Sequence, residues 1–132
     1  MKQIAIIPAR GGSKRLPKKN VLPVNGRPML SYSIHTALES ELFDDVVVST
    51  EDEEITEIAV RYGATTIARP SELSQDHSTV AEVCHHVLSL PAYEDVEVFC
   101  CIYATAVLLL AEDLCDSRVM LVLSPSLAKV YW

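Results

Sequence analysis

The sequence predicts an α/β domain built on a mostly parallel sheet with helices on both faces. Short β-branched runs alternate with stretches of helical periodicity, and no linker, repeat or low-complexity stretch divides the 132 residues. The order strand, helix, strand, helix, strand, helix, strand is typical of a parallel sheet with right-handed crossovers. We therefore expect one domain over residues 1–132, with its ligand site at the carboxyl ends of the strands.

Four apolar runs are the predicted strands, and three periodic stretches between them are the predicted helices. In chain order the strands are "IAII" (4–7), "DDVVVST" (44–50), "ATTIA" (64–68) and "VEVFCCIYA" (96–104). The helices lie within "GRPMLSYSIHTALES" (26–40), "EDEEITEIAVRYG" (51–63) and "STVAEVCHHVLSL" (78–90). The stretch "RVMLVLS" (118–124) is a candidate fifth strand.

The ends of the helices carry recognisable signals. Pro28 stands at the expected first position of the first helix. The Ser49/Thr50 pair followed by Glu53 predicts an N-cap and a capping box for the second helix, and Gly63 predicts its C′ position. Acidic residues fill the first turn of that helix, where the macrodipole favours them, so we interpret them as helix residues rather than as a metal site.

Charge is distributed very unevenly along the chain. Seven of the eleven basic residues and none of the eighteen acidic residues lie in the first 38 positions, so this part carries +7 and the remainder −14. An acidic body with one concentrated basic loop suits a small phosphate-bearing ligand better than a nucleic acid, which needs a broad basic face. We therefore expect no nucleic-acid partner.

The cysteines and apolar stretches indicate a cytoplasmic protein. Cys84, Cys100, Cys101 and Cys115 show no metal-ligand spacing and are interpreted as reduced, with the adjacent pair on opposite faces of one strand. The N-terminal apolar run is shorter than a secretory signal requires. The longest apolar stretch, "AVLLLA" (106–111), cannot span a bilayer, so we expect no membrane partner.

The stretch "PARGGSKRLPKKN" (8–20) follows the first strand directly. Its adjacent glycines permit close approach of backbone N–H groups to an anion, and its serine and cations can bind a triphosphate. It matches neither G-x-x-x-x-G-K-[ST] nor G-x-G-x-x-G. The alternative is a glycine turn with solvated charges, which the exclusion of acidic residues from 38 positions disfavours. The candidate phosphate-binding residues are Arg10, Gly11, Gly12, Ser13, Lys14 and Lys19.

At this point the sequence resembles a known family. "IIPARGGSKRLPKKN" is similar to the first motif of the acylneuraminate (CMP-sialic acid) cytidylyltransferases. "FDDVVVSTEDEEI", "RYGA" and "RPSELSQDHST" follow in the family's order, so the resemblance covers residues 3 to about 113. The closing Lys19-Asn20 favours this branch over the Kdo cytidylyltransferases, and "FCCIYATA" resembles the pseudaminic acid cytidylyltransferases more than the sialic acid enzymes.

The resemblance implies a Rossmann-like nucleotide-diphospho-sugar transferase fold and a reaction. The anomeric hydroxyl of a nine-carbon acidic sugar, of the pseudaminic or sialic acid type, attacks the α-phosphate of CTP with Mg²⁺ and releases pyrophosphate. Positioning and charge stabilisation dominate such transfers. By the family's motif, Arg10 and Lys19 are the catalytic candidates at the α-phosphate, and Ser13 and Lys14 contact the outer phosphates. Asn20 belongs to the same phosphate-facing group.

Further site residues follow from the resemblance, each with a simpler alternative. Arg69, Ser78 and Thr79 fall in the segment similar to the family's cytosine and ribose contacts. Arg69 is alternatively a surface ion pair, and Ser78 or Thr79 is alternatively the N-cap of the next helix. Tyr103 is a candidate substrate contact, although an aromatic residue at a strand end is more often packing.

The resemblance ends after "LLLAEDL" (108–114), where the chain reads "CDSRVMLVLSPSLAKVYW". The resemblance implies further strands, a homodimerisation element and an aspartate pair that holds Mg²⁺, none of which we find, so the family domain is expected to be truncated. Two functional hypotheses remain. One is a cytidylyltransferase that is complete only in its nucleotide half, and the other is a noncatalytic CTP-binding module or defective product.

Overall fold

The computed structural model describes residues 2–11, 22–74, 79–104 and 121–122. Short 3-10 turns at Ser71–Leu73 and Pro91–Tyr93 connect some of its elements. Within these residues the chain forms, in order, β1 (Lys2–Pro8), β2 (Pro23–Val24), β3 (Arg27–Pro28), α1 (Met29–Glu39), β4 (Asp45–Thr50), α2 (Glu53–Arg61), β5 (Thr65–Ala68), α3 (Val80–Leu88), β6 (Val96–Cys101) and β7 (Leu121–Val122).

One sheet organises the fold, with the strand order β5-β4-β1-β6-β7. β1 lies in its middle and pairs in parallel with β4 on one side and with β6 on the other. β4 pairs in parallel with β5, whereas β7 runs antiparallel to β6. The predicted mostly parallel sheet is confirmed, and the candidate fifth strand forms as a short antiparallel edge.

Helices cover both faces of this sheet, as predicted. Side chains alternate between faces along a strand, so all four residues of the "IAII" run in β1 are buried, two on each side. On one face α1 and α2 pack on Ala5, Ile7, Val46 and Val48, and on the other α3 packs on Ile4, Ile6 and Val47. A run without polar residues is what a strand covered on both faces requires.

The start of α2 differs from the prediction. Ser49 and Thr50 remain in β4, fully paired with β5 and buried, so the predicted Ser/Thr cap and its capping box are wrong. Asp52 is the N-cap instead, and its Oδ1 accepts the Ile55 N–H at 3.1 Å. The strand ladder holds the backbone of Ser49 and Thr50, so the next residue able to cap the helix does so.

Two turns rest on positive backbone φ angles. Gly63, with φ +95°, follows the C-cap Tyr62 of α2, which confirms the predicted C′ glycine. β2 and β3 form a hairpin through Asn25 and Gly26, at φ 51° and +81°. An Asn-Gly pair is the usual requirement of such a tight hairpin, so its signal is present in the sequence although the strands are only two residues long. The hairpin places Pro28 at the N-cap of α1 rather than at its first helical position.

The edge of the sheet at the amino ends of the strands is closed by a polar network. Asp45 accepts from Thr65 Oγ1 at 2.7 Å and from the Tyr93 hydroxyl at 2.8 Å. Lys2 forms an ion pair with Asp95 at 3.1 Å and lies 5.6 Å from the centre of the Tyr93 ring. This network joins the start of β4 to β5 and to the turn before β6.

The cysteines in the described residues are unpaired by disulfides, as predicted. Cys101 packs in the core layer of α3, whereas Cys100 packs against the opposite layer, which confirms their opposite faces. Cys101 and Cys84 are in hydrogen-bond contact, and this contact, together with burial, raises the pKa of the Cys101 thiol. Cys115 lies outside the described residues. No helix in the described part of the chain has the length and apolarity needed to cross a membrane.

Candidate functional site

The candidate site is the edge where the parallel strands end. Parallel strands present their carboxyl ends on one side, so the segments after β1, β4, β5 and β6 meet there. These segments are Arg10–Gly11, Glu51–Asp52, Arg69 and Tyr103–Ala104. The edge therefore brings together four of the predicted site residues whose structure is described, Arg10, Gly11, Arg69 and Tyr103. It adds the carboxylates of Glu51 and Asp52, which were not predicted as site residues.

Gly11 is held against the start of α2. Its N–H donates to Glu51 Oε1 at 2.7 Å, and the preceding Ala9 N–H donates to the Ser49 carbonyl oxygen at 3.0 Å. A Cβ built at Gly11 would lie 2.4 Å from Asp52 Oδ2 and 2.7 Å from Asp52 Cβ. Only glycine fits this close approach of two segments, so the need for Gly11 is steric.

Arg69 is buried, with 8% of its surface exposed. Its Nη2 donates to the Ser49 carbonyl oxygen at 3.0 Å, its Nε lies 3.4 Å from Ser49 Oγ, and its backbone N–H donates to the Thr50 carbonyl oxygen at 2.9 Å. The alternative of a surface ion pair is therefore wrong. Arg69 is a fixed cation packed against the end of β4.

The electrostatics of the edge are mixed. Burial lowers the pKa of the Arg69 guanidinium, the Glu51 carboxylate opposes that shift, and the positive charge of Arg10 adds to it. Two guanidinium groups and a carboxylate thus interact at one edge. An arginine remains protonated at neutral pH despite such a shift, so the edge keeps its buried positive charge.

Thr79 has a structural role at the start of α3. Its Oγ1 accepts the Glu82 N–H at 3.1 Å, and its own N–H donates to Glu82 Oε2 at 3.5 Å, which completes a capping box. Of the two interpretations of Thr79, the structure supports the N-cap. A contact of Thr79 with a nucleotide stays a prediction.

Tyr103 follows β6 and has 52% of its surface exposed, and its contact with a substrate stays a prediction. Helix α1 holds the backbone of Tyr103 in place, because Ser33 Oγ in this helix donates to the Tyr103 carbonyl oxygen at 2.8 Å. The same hydroxyl lies 3.3 Å from the Ala104 carbonyl oxygen. Helix α1 thereby positions the end of β6 at the site edge.

The remaining predicted site residues lie outside the described residues. They are Gly12, Ser13, Lys14, Lys19, Asn20 and Ser78. In the part of the chain that the structure describes, no group of three or more histidine, cysteine or acidic side chains is placed to hold a metal ion.

Glu51 and Asp52 are the functional candidates that the sequence pattern does not reveal. Their place in an acidic run indicates a helix start, and Asp52 does cap α2. Their second role, contact with Gly11, depends on β1 and β4 being neighbours in the sheet. Only the position of Glu51 in the sequence could have indicated this role, because Glu51 directly follows a strand whose carboxyl end lies at the site edge.

The sheet is thus an open α/β sheet with the buried Arg69 cation at the edge where such sheets bind their ligands. The family model described as "Cytidylyltransferase" matches residues 4–120. The chain therefore belongs to the cytidylyltransferase family, whose members are nucleotidyltransferases.

Individual relatives agree with this membership. The chain is 46% identical over 112 residues to a pseudaminic acid cytidylyltransferase of Campylobacter jejuni serotype O:2, covering 83% of this chain and 48% of that protein. It is 45% identical over 105 residues to an N-acylneuraminate cytidylyltransferase of Escherichia coli O18:K1:H7, covering 80% and 25%. The chain thus spans about half, or less, of the length of these relatives.

Solved structures support the fold. CMP:2-keto-3-deoxy-manno-octonic acid synthetase, solved in complex with CTP, superposes with a TM-score of 0.74 at 24% identity. The match covers 86% of this chain and 44% of that one. The predicted Rossmann-like nucleotidyltransferase fold is confirmed.

Proposed function

We propose that the chain binds CTP at the carboxyl edge of its sheet, as the nucleotide half of a cytidylyltransferase. The match of the cytidylyltransferase family model to residues 4–120 is the observation that carries this proposal. The described part of the edge supports it with Arg10 and with the buried guanidinium of Arg69. A fixed, partly desolvated cation attracts a phosphate more strongly than a solvated one does.

The proposed reaction transfers CMP to a nine-carbon acidic sugar of the pseudaminic or sialic acid type. The anomeric oxygen forms a bond to the α-phosphorus and loses its proton, while the α–β phosphoanhydride bond breaks and pyrophosphate leaves with the electron pair. Arg10 and Lys19 would stabilise the charge that develops on the α-phosphate. We assign no metal ligand to the described residues and include Mg²⁺ in the assays as part of the CTP complex.

Binding of CTP without turnover is the second candidate. The relatives whose names state the transferase activity are about twice the length of this chain or longer, so binding and turnover are tested separately. The proposal also includes an acidic sugar as the second substrate and a homodimer as in the family. Both are to be tested after CTP binding.

Calorimetric titration with CTP, UTP and ATP tests whether the chain binds CTP in preference to other nucleotides. Arg10→Ala and Lys19→Ala each remove a charged contact worth about 1.5 to 3 kcal/mol and are expected to weaken CTP binding about tenfold or more. Arg61→Ala, an exposed cation in the last turn of α2, is the matched control and is expected to bind normally. Equal affinity for the three nucleotides, or unchanged binding in both loop variants, would contradict the proposal.

A pyrophosphate-release assay separates the two candidates. It uses the purified chain, CTP, Mg²⁺, and pseudaminic or N-acetylneuraminic acid. Turnover of order 1 per second would identify an enzyme. CTP binding without pyrophosphate release would identify a binding module.

A further inference from the structure

Glu51 makes a contact that joins two strand ends across the site edge. Its Oε1 accepts the Gly11 N–H at 2.7 Å, a short distance typical of an amide donating to a charged acceptor. Gly11 opens the basic loop after β1, and Glu51 directly follows β4. The first amide of the loop after Arg10 is therefore bonded within the protein.

The surroundings of this bond restrict it further. Asp52 also lies against Gly11, at distances that leave no room for a Cβ. The charge of Glu51 also acts on Arg69, where it opposes the effect of Arg10. Glu51 thus belongs to the same electrostatic group as the two arginines, although it is itself an acid at an edge suited to polyanions.

We infer that Glu51 is a positioning residue, which fixes the start of the basic loop and with it Arg10 for contact with the triphosphate. The inference rests on the proposed function. The Gly11 amide already donates to Glu51, so it is not a further donor for phosphate. Its hydrogen bond instead holds the start of the loop in place. Because a side chain that is already held in place loses less conformational entropy on binding, anchoring the residue next to Arg10 in the free protein favours binding.

The opposite possibility makes a different prediction. If the carboxylate only occupied an amide that phosphate needs, it would compete with the ligand, and its removal would strengthen binding. Glu51→Gln removes the charge and keeps an acceptor oxygen at the same reach, whereas Glu51→Ala removes both. The difference between these two variants isolates the hydrogen bond from the charge.

The first measurement needs no ligand. Hydrogen exchange of the Gly11 amide, followed by NMR, is expected to be slow in the wild type and in Glu51→Gln. In Glu51→Ala it is expected to be about tenfold faster or more, because the amide loses its acceptor. Glu51→Asp keeps the charge but withdraws the acceptor, and it serves as the second variant should Glu51→Ala fail to fold. Glu57→Ala, which removes an exposed acid elsewhere on α2, is the matched control.

The second measurement is CTP titration of the same variants. Glu51→Ala is expected to bind CTP about tenfold more weakly than Glu51→Gln, since only the latter keeps the anchor. Binding in Glu51→Ala as tight as in Glu51→Gln, or unchanged Gly11 exchange in Glu51→Ala and Glu51→Asp, would overturn the inference. If the wild type fails to bind CTP, the proposed function fails. Gly11 exchange then still decides whether Glu51 anchors the loop.

Discussion

Arg69 and Ala9 donate to the same acceptor, the carbonyl oxygen of Ser49, each at 3.0 Å. The Ala9 N–H arrives from the end of β1 and the Arg69 guanidinium from the end of β5. A single carbonyl group of β4 therefore joins three neighbouring strand ends at the site edge. The position of the buried cation depends on the geometry of the sheet itself.

This arrangement predicts that lysine does not replace Arg69. Lysine keeps the charge but lacks the planar group that reaches both the carbonyl and the hydroxyl of Ser49. Arg69→Lys is expected to lower the free energy of unfolding by about 1 to 2 kcal/mol and to weaken CTP binding. Urea unfolding and calorimetry measure these effects. Arg61→Lys, the same substitution at an exposed position, is the control. Equal stability and equal CTP affinity of the two variants would contradict the role given to the Arg69 guanidinium.

Gly11→Ala is expected to destabilise the protein by about 1 to 3 kcal/mol, because the new methyl group overlaps the Asp52 side chain. The cost is expected to fall in an Asp52→Gly background, where the overlapping Oδ2, Cγ and Cβ atoms are all absent. A double-mutant cycle by thermal unfolding measures this coupling. Additive effects of the two substitutions would show that the contact is not the cause.

Stability at alkaline pH reports on Tyr93. Burial, followed by the hydrogen bond to Asp45, raises the pKa of its phenol. Between the unfolded pKa of about 10 and the higher folded value, the unfolded state binds fewer protons, so stability falls as pH rises. Tyr93→Phe lacks this dependence and also lacks the hydrogen bond.

The stability advantage of the wild type over Tyr93→Phe is therefore expected to be present below pH 10 and to shrink above it. Urea unfolding across this range measures the difference. Tyr62→Phe, in the opposite core layer, shows whether any lost tyrosine has the same effect. A constant difference between the wild type and Tyr93→Phe would contradict the interpretation.

The buried thiols are expected to resist alkylation while the protein is folded. Thiolate is the reactive form, and the hydrogen bond with Cys84, together with burial, raises the pKa of Cys101. Iodoacetamide labelling followed by peptide mass spectrometry should modify Cys84 and Cys101 only at the rate of unfolding. Cys100, which is less buried, should react sooner. Labelling of Cys101 at equal rates in buffer and in urea would disprove this protection.

The fold was predictable because its signals are local. The "IAII" run of β1, the helical periodicity of α1 to α3 and Gly63 each depend on residues close together in the chain. The site edge was predicted from strand order, since Arg10 comes two residues after β1 and Arg69 directly after β5. The N-cap of α2 was not predictable from the Ser/Thr pattern alone, because pairing with β5 keeps Ser49 and Thr50 in the strand.

The contacts within the site were not predictable from the sequence. Gly11 and Glu51 are 40 positions apart, and their contact follows from the register of β1 with β4. The buried position of Arg69 likewise involves a distant partner, because its guanidinium donates to the Ser49 carbonyl oxygen 20 positions earlier in the chain. A charged residue in a loop has no sequence signal that separates such a fixed guanidinium from a solvated one.

The central position of β1 has a consequence for folding during synthesis. Ile4 pairs with Asp45 on one side and with Phe99 on the other, so β1 is synthesised before both of its neighbours and acquires the second one only after Phe99, about 95 residues later, has been made. Until then, one edge of an apolar strand is exposed to other nascent chains, which favours misassociation. Chaperone dependence during translation, rather than the equilibrium stability of the finished sheet, is therefore expected to govern the yield of folded protein.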